Sequence, residues 1–415
     1  MLPIDPFDDL STAEVGAAHG RACIALGRLD GAVRMASPSA LRLFGYRLVR
    51  RSFIGALADA GFAGADRAID GWIARESPPP ATPQYAAAEA PAISGAVLAA
   101  LADGGWAPVA EAARFVARAA EHLGRAGTPA AGEKPLAEIA AEARRALVPS
   151  RPLYDVDDPL AWLEARVEGA RASAAFAPVA RDPVPIDTLA GIAIITPPPP
   201  RAHHWALGLA MGESLRALGL LSRPVPLAGS VPAAALRMDM PPRERAVALA
   251  DAIARAARQA MAELDEAVRL AAHAAHALRT CRRTSRAPDV FAGIAGLGAL
   301  RRTQIATGFG LTAMGADTIL ATLVSAGLVA RAPGDRRGPY RWTPPPVARS
   351  TPWTISDMSG LLNEVDAAME GLDALLARLS PRKAGPQEGR STPNDTADDP
   401  DGPDGPDGPE TGNAL

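Results

Sequence analysis

From Pro242 to Arg279 the chain contains no glycine and, after Pro242 itself, no proline. A stretch of that length rich in alanine, arginine and leucine favours an uninterrupted helix, because nothing in it removes an amide donor or releases the backbone. Val247, Ala250, Ala254, Ala257, Met261, Leu264, Val268, Ala271, Ala275 and Leu278 recur at alternating spacings of three and four. That is a heptad-like seam, and its alanines let a partner helix approach closely. Two coverings fit it: another helix of the same chain, or the same helix of a second copy. A chain built around such an element is expected to be mainly α.

The rest of the sequence divides by its punctuation. Residues 1–150 read as a helical domain. Asp9, Ser11 and Thr12 are N-cap candidates, further helices are expected over Ala40–Val49, Phe53–Ala60 and Asp66–Ala74, and a proline run interrupts at 78–83. Helical texture returns over Ile93–Leu101, Pro108–Leu123 and Pro135–Leu147. Residues 151–285 form a second helical domain that ends in the long helix. Asp158-Pro159 opens a helix there, and another is expected over His203–Leu221. Residues 286–346 form a third unit. An amphipathic heptad helix is expected over 350–380, where Ile355, Met358, Leu362, Val365, Met369, Leu372, Leu376 and Leu379 step by three and four. Residues 381–415 hold three Asp-Gly-Pro units and carry eight acids against three bases, so an acidic disordered tail is expected.

Within the third unit, residues 303–328 have the spacing of a helix-turn-helix. Ala306 is small where a second helix crosses, and Gly310, four residues on, can take the left-handed conformation that turns the chain. Thr312 caps a second helix running to about Ser325. Its inward face is Ala316, Ile319, Leu320 and Leu323, and its outward face is Thr312, Ala313, Met314, Asp317, Thr318 and Ala321. Leu328–Arg331, the turn Gly334–Gly338 and Tyr340–Trp342 then make a hairpin, so the expected fold is a winged helix-turn-helix. Between Leu278 and Thr343 ten arginines face three acids, a local +7 in a chain whose formal net charge is −3. Arginine pairs with phosphate and displaces its counterions. The expected DNA-contacting residues are Arg282, Arg283, Arg286, Arg301, Arg302, Thr312, Ala313, Met314, Asp317, Thr318, Arg336, Arg337 and Arg341. The outward face carries no arginine, lysine, asparagine or glutamine, the residues that most often read base edges.

The stretch Pro241–Ala246 leading into the long helix, then Thr280–Asp289, then the helix-turn-helix resembles an uncharacterised alphaproteobacterial family of rhizobial-plasmid type. Its members join a helical domain of unknown function to a C-terminal helix-turn-helix. The resemblance covers about residues 150–345 and implies DNA binding by the C-terminal domain, but no activity. The expected function is therefore a DNA-binding protein, a transcriptional regulator or plasmid-maintenance factor. It would bind double-stranded DNA as a homodimer joined through Ile355–Leu379 or the 242–279 helix. The alternatives are a protein-binding adaptor whose winged domain does not touch DNA, or an enzyme in the N-terminal helical region.

Nothing in the sequence supplies a catalytic set. There is no GxGxxG after a strand, no GxxxxGK[ST] and no GxSxG. Ile24–Gly31 faintly resembles the helical lead-in of Fic-type nucleotide transferases, but no histidine here precedes Pro-Phe. His203-His204 and His273/His276 read as partly exposed helix residues rather than metal ligands. Cys281, between arginines, reads as an ordinary thiol with a redox-sensing alternative. Two cysteines cannot build a disulfide framework, so a reduced, cytoplasmic setting is expected. The Pro-broken acidic start argues against a secretory signal, and no apolar run is long enough for a membrane span. No cofactor or metal is expected.

Overall fold

The structure is a computed structural model, and it describes residues 6–62, 64–80, 89–124, 134–153, 156–177, 184–188, 191–195, 202–282, 285–332 and 338–344. The chain is mainly helical. In order, the elements are α1 (Pro6–Met35), α2 (Pro38–Asp59), α3 (Ala65–Ile73), α4 (Glu89–Ala102), α5 (Ala107–Ala119), α6 (Leu136–Leu147) and α7 (Pro159–Ala170). Then come β1 (Val184–Thr188), β2 (Gly191–Ile195), α8 (Trp205–Ala217), α9 (Pro242–Ala277), α10 (Ala287–Leu297) and β3 (Ala299–Leu300). The last are α11 (Arg302–Phe309), α12 (Ala313–Ser325), β4 (Val329–Arg331) and β5 (Tyr340–Trp342). No single helix among the described residues is long and apolar enough to cross a membrane.

The long helix exists as expected, and its partners belong to the same chain. Arg243 meets Glu14 and Arg21 meets Asp251, each at 2.9 Å, so residue numbers rise together and α1 runs parallel to α9. Arg47 meets Glu263 at 2.5 Å while Arg51 bonds Gln259, so α2 runs antiparallel to α9. Sandwiched between two helices, the first half of α9 is buried on a broad front: Ala250, Ala252, Ile253, Ala254, Ala256 and Ala257. Further on, the expected seam departs from the buried face. Ala267 and Ala274 are buried, whereas Val268 is 44% exposed and Ala275 is exposed. The buried positions Ala246, Ile253, Ala260, Ala267 and Ala274 themselves recur every seven residues, so the packed face keeps a heptad repeat, with one of its two positions a residue before the expected one. The alanine face offered above for a dimer is covered by α1 and α2.

The central helix is α2. Two helices were expected where one is found, 22 residues long, opened by Ser37, whose Oγ accepts from Ala40 N at 3.3 Å. Its glycines mark close approach rather than a break. A Cβ on Gly45 would lie 2.2 Å from the Pro108 carbonyl oxygen, and one on Gly55 2.7 Å from Ala228 Cβ. α1 begins at Pro6, ahead of Asp9, Ser11 and Thr12, which lie inside the helix rather than at its cap. α7 begins as expected, with Asp158 accepting from Leu160 N and Ala161 N at 3.0 Å.

Met1–Pro346 is one compact unit, and Val347–Leu415, which divides from it, lies outside the described residues. The limits expected at 150 and 285 fall inside the first. Its hydrophobic cluster runs unbroken from Ala18 to Tyr340, because α1 closes over α9 and α11 packs on α5. The helix expected at 350–380 and the tail from 381 lie outside the described residues. Two sheets complete the unit. β1 and β2 pair antiparallel with Val184 opposite Ile195. The three-stranded sheet has the order β3-β5-β4, with Leu300 opposite Tyr340 and Ala330 opposite Arg341. Neither β1–β2 nor β3 was anticipated.

Candidate nucleic-acid interface

The segment from α10 to β5 is built from the inside out. α10 is apolar and buried through Val290, Phe291, Ile294 and Leu297. α11 starts with one half of a capping box, in which Gln304 Oε1 accepts from Arg301 N at 2.8 Å. The same amide donates through Nε2 to the Ile73 carbonyl at 2.7 Å, tying α11 to the end of α3. Phe309 stacks tilted on Phe115 with ring centroids 4.4 Å apart, and Arg118 donates to the Gly308 carbonyl at 3.0 Å. The back of α11 is thus fixed to α5.

Gly310 has φ 63° and ψ 39°, the left-handed conformation that glycine adopts without a Cβ penalty. Leu311 N bonds the Ala306 carbonyl at 2.8 Å across the turn. α12 then leaves at 115° to α11. Thr312 caps it, its Oγ1 accepting from Gly315 N at 3.1 Å. Ala316, Leu320 and Leu323 are buried and Ile319 is half-buried, while Thr312, Ala313, Met314, Asp317, Thr318 and Ala321 are exposed. Met314 is 80% exposed. The two faces are those read from the spacing. Thr318 Oγ1 donates to the Met314 carbonyl at 3.0 Å, so both hydroxyls of the outward face are engaged within the helix.

Among the described residues, several of these arginines are already engaged. Arg301 is half-buried and donates to the Ala74 carbonyl at 2.6 Å, closing the end of α3. Arg341 pairs with Glu76. Both bond to the helical body, through partners more than 200 residues away in sequence. Arg286 is exposed, 3.5 Å from Asp289 and over the Phe309 ring at 6.0 Å. Arg302 pairs with Asp317, Nε to Oδ1 at 2.5 Å and Nη2 to Oδ2 at 2.8 Å, which neutralises the one acid on the outward face of α12. Arg282 is exposed. Arg283, Arg336 and Arg337 lie outside the described residues. The structure therefore brings together Arg302, Thr312, Ala313, Met314, Asp317 and Thr318, and it separates Arg301 and Arg341 from them.

Other constellations are few. Among the described residues no group of three or more His, Cys, Asp and Glu could hold a metal. His204 is buried, Nε2 3.5 Å from Asp59 Oδ1, which corrects the expectation of an exposed helix histidine. His19 was missed. Its Nε2 lies 2.6 Å from Glu164 Oε1 and its Nδ1 3.4 Å from Asp158 Oδ2, joining α1 to α7. No local spacing signals a contact across about 140 residues. Cys281 is half-buried against the core. The exposed Cys23 thiol is pushed up from its usual range by desolvation and then by Asp158, the opposite of an activated thiol. A cavity of about 200 Å³ opens between α4, α6 and α8, lined by Ala96, Trp106, Ala140 and Ala210, with the Arg144–Glu213 pair (2.7 Å) among its lining residues. No family model matches the chain, and no curated protein matches it.

Proposed function

We propose that this chain binds double-stranded DNA through a winged helix-turn-helix formed by α10, β3, α11, α12, β4 and β5, with α12 in the major groove. One observation carries the reading. α12 stands out from a helix pair turned at a left-handed glycine, packed on one side only, with its outward face open along the first three turns. That is the presentation a recognition helix needs. The strand order β3-β5-β4 also suits a wing, and Arg336 and Arg337 fall in the sequence between β4 and β5. In this reading α1–α9 form a scaffold able to sense a ligand, and Ile355–Leu379 supplies the dimer contact that a two-fold operator requires. The role is that of a transcriptional regulator or plasmid-maintenance factor.

Gel shifts of the full chain on genomic fragments test it. Binding should weaken as salt rises, and Arg336→Ala with Arg337→Ala should weaken it further. Binding insensitive to both salt and the double substitution would overturn the reading. One observation favours an adaptor instead. Met314 and Val324 are exposed apolar residues on α12, and much of the arginine charge nearby is already paired. A stable hetero-complex in sedimentation, with no affinity for duplex DNA at low salt, would establish that alternative.

A further inference from the structure

Resting on the DNA-binding reading, we propose that Arg302 and Asp317 act as one unit that reads a guanine, beside a thymine whose methyl group meets Ala313 and Met314. The outward face of α12 has almost no free donors. Thr318 Oγ1 donates to the Met314 carbonyl, and Thr312 Oγ1 accepts from Gly315 N at the cap, which leaves its O–H as a single donor. Asp317 would by itself accept from cytosine or adenine, but both its oxygens are taken by Arg302. Of these side chains only Arg302 retains N–H groups to offer a base.

The pairing also decides which N–H groups those are. Nε and Nη2 bind the carboxylate side-on. The end of the guanidinium, formed by Nη1 and the second N–H of Nη2, remains. Its only other contact described is a long 3.4 Å approach of Nη2 to the Ala313 carbonyl. The fork therefore sits against the first turn of α12, and a base would displace its Nη2–H from the Ala313 carbonyl. Two parallel donors match the O6 and N7 acceptors of guanine. Adenine and cytosine put a donor in that edge, and thymine has a single acceptor. A carboxylate behind the guanidinium holds the fork in one plane, so less freedom is lost on binding. It also cancels the charge, which suits a base edge better than a phosphate. Met314, 80% exposed, and Ala313 present methyl groups where a thymine methyl is the complementary surface.

Site selection by the full chain from a random duplex library, with wild type, Arg302→Ala, Asp317→Ala and Met314→Ala, tests this. Wild type should enrich sites holding an invariant guanine. Arg302→Ala should lose the preference at that position by about ten- to a hundredfold while still binding DNA. Asp317→Ala should relax the same position and leave total affinity equal or higher, since it removes a negative charge. Met314→Ala should relax a neighbouring thymine. Unchanged far-ultraviolet circular dichroism and melting will establish that the variants fold, as an exposed pair contributes little to stability. If Arg302→Ala weakens all sequences alike and lowers the salt slope by about one, Arg302 is a phosphate contact and the proposal fails. It fails equally if no guanine is selected, or if the guanine persists in Arg302→Ala. If wild type selects no DNA at all, the DNA-binding reading falls with it.

Discussion

Replacing Gly308 by alanine should loosen the attachment of the α11–α12 pair to the helical body. A Cβ at this position would lie 2.3, 2.7 and 2.8 Å from three carbons of the Phe115 ring. Ordinary contact needs more than 3.4 Å, so the ring must retreat by about 1 Å. It has nowhere to go. Phe115 is 2% exposed, edge-on to Tyr46 at 5.3 Å and stacked on Phe309 at 4.4 Å. Overpacking of this kind costs about 1–3 kcal/mol, here toward the upper end. Alanine returns at most about 1 kcal/mol relative to glycine, since Gly308 lies in the last turn of α11. The expected net loss is about 1–2 kcal/mol in urea unfolding followed by circular dichroism. Phe115→Leu makes room for the methyl group, so the double variant should be more stable than the sum of the two single losses, by about 1 kcal/mol. If Gly308→Ala instead stabilises the protein by the full helix-propensity gain, and the cycle is additive, α11 does not rest on Phe115 and the packing described here is refuted.

Three further outcomes follow from other contacts. Gln304→Ala removes a buried amide that bonds both Arg301 N and the Ile73 carbonyl; a loss of about 1–3 kcal/mol is expected in the same assay. Ala267→Lys, on the buried side of α9, should cost on the order of 3 kcal/mol, whereas Val268→Lys one residue later should stay within about 0.5 kcal/mol; equal effects would contradict the packed face described here. Glu142 has its carboxyl held below the usual range by the Ser173 hydroxyl and then by Lys134. A depressed native pKa stabilises above the ordinary glutamate range and stops doing so as pH falls through it. Thermal melting should therefore show Glu142→Gln below wild type at neutral pH, with the gap closing in acid.

How much of this was legible depends on the range of the interaction. The turn at Gly310, the cap at Thr312 and the two faces of α12 are set within about a dozen residues, so spacing alone revealed them. The cap at Asp158 is local in the same way. The length of α9 was plain, because nothing in it can interrupt a helix. Its exact packed face was not, since alanines fill α9 on every side and the same spacing runs one residue earlier through Ala246, Ile253, Ala260, Ala267 and Ala274. Gly45 and Gly55 mark where Pro108 and Ala228 press against α2, contacts that no local spacing announces. Arg301 and Arg341 illustrate the larger difficulty. Counting charges near residue 300 treats each arginine as available, but the carbonyl of Ala74 and the carboxylate of Glu76 come from the other end of the chain. β3 is two residues long and paired with a strand some forty residues away, which no periodicity can report.

The most direct measurement is fluorescence anisotropy of the full chain with a labelled duplex over a range of salt, comparing wild type with Met314→Glu plus Thr318→Glu. Both positions are exposed, so the variant should melt like wild type. The expected result is a linear fall of log affinity with log salt for wild type, and a loss of at least about tenfold when two carboxylates are placed on α12 against the duplex. Wild-type binding that the two carboxylates leave untouched, or no binding at low salt, would contradict a recognition role for α12.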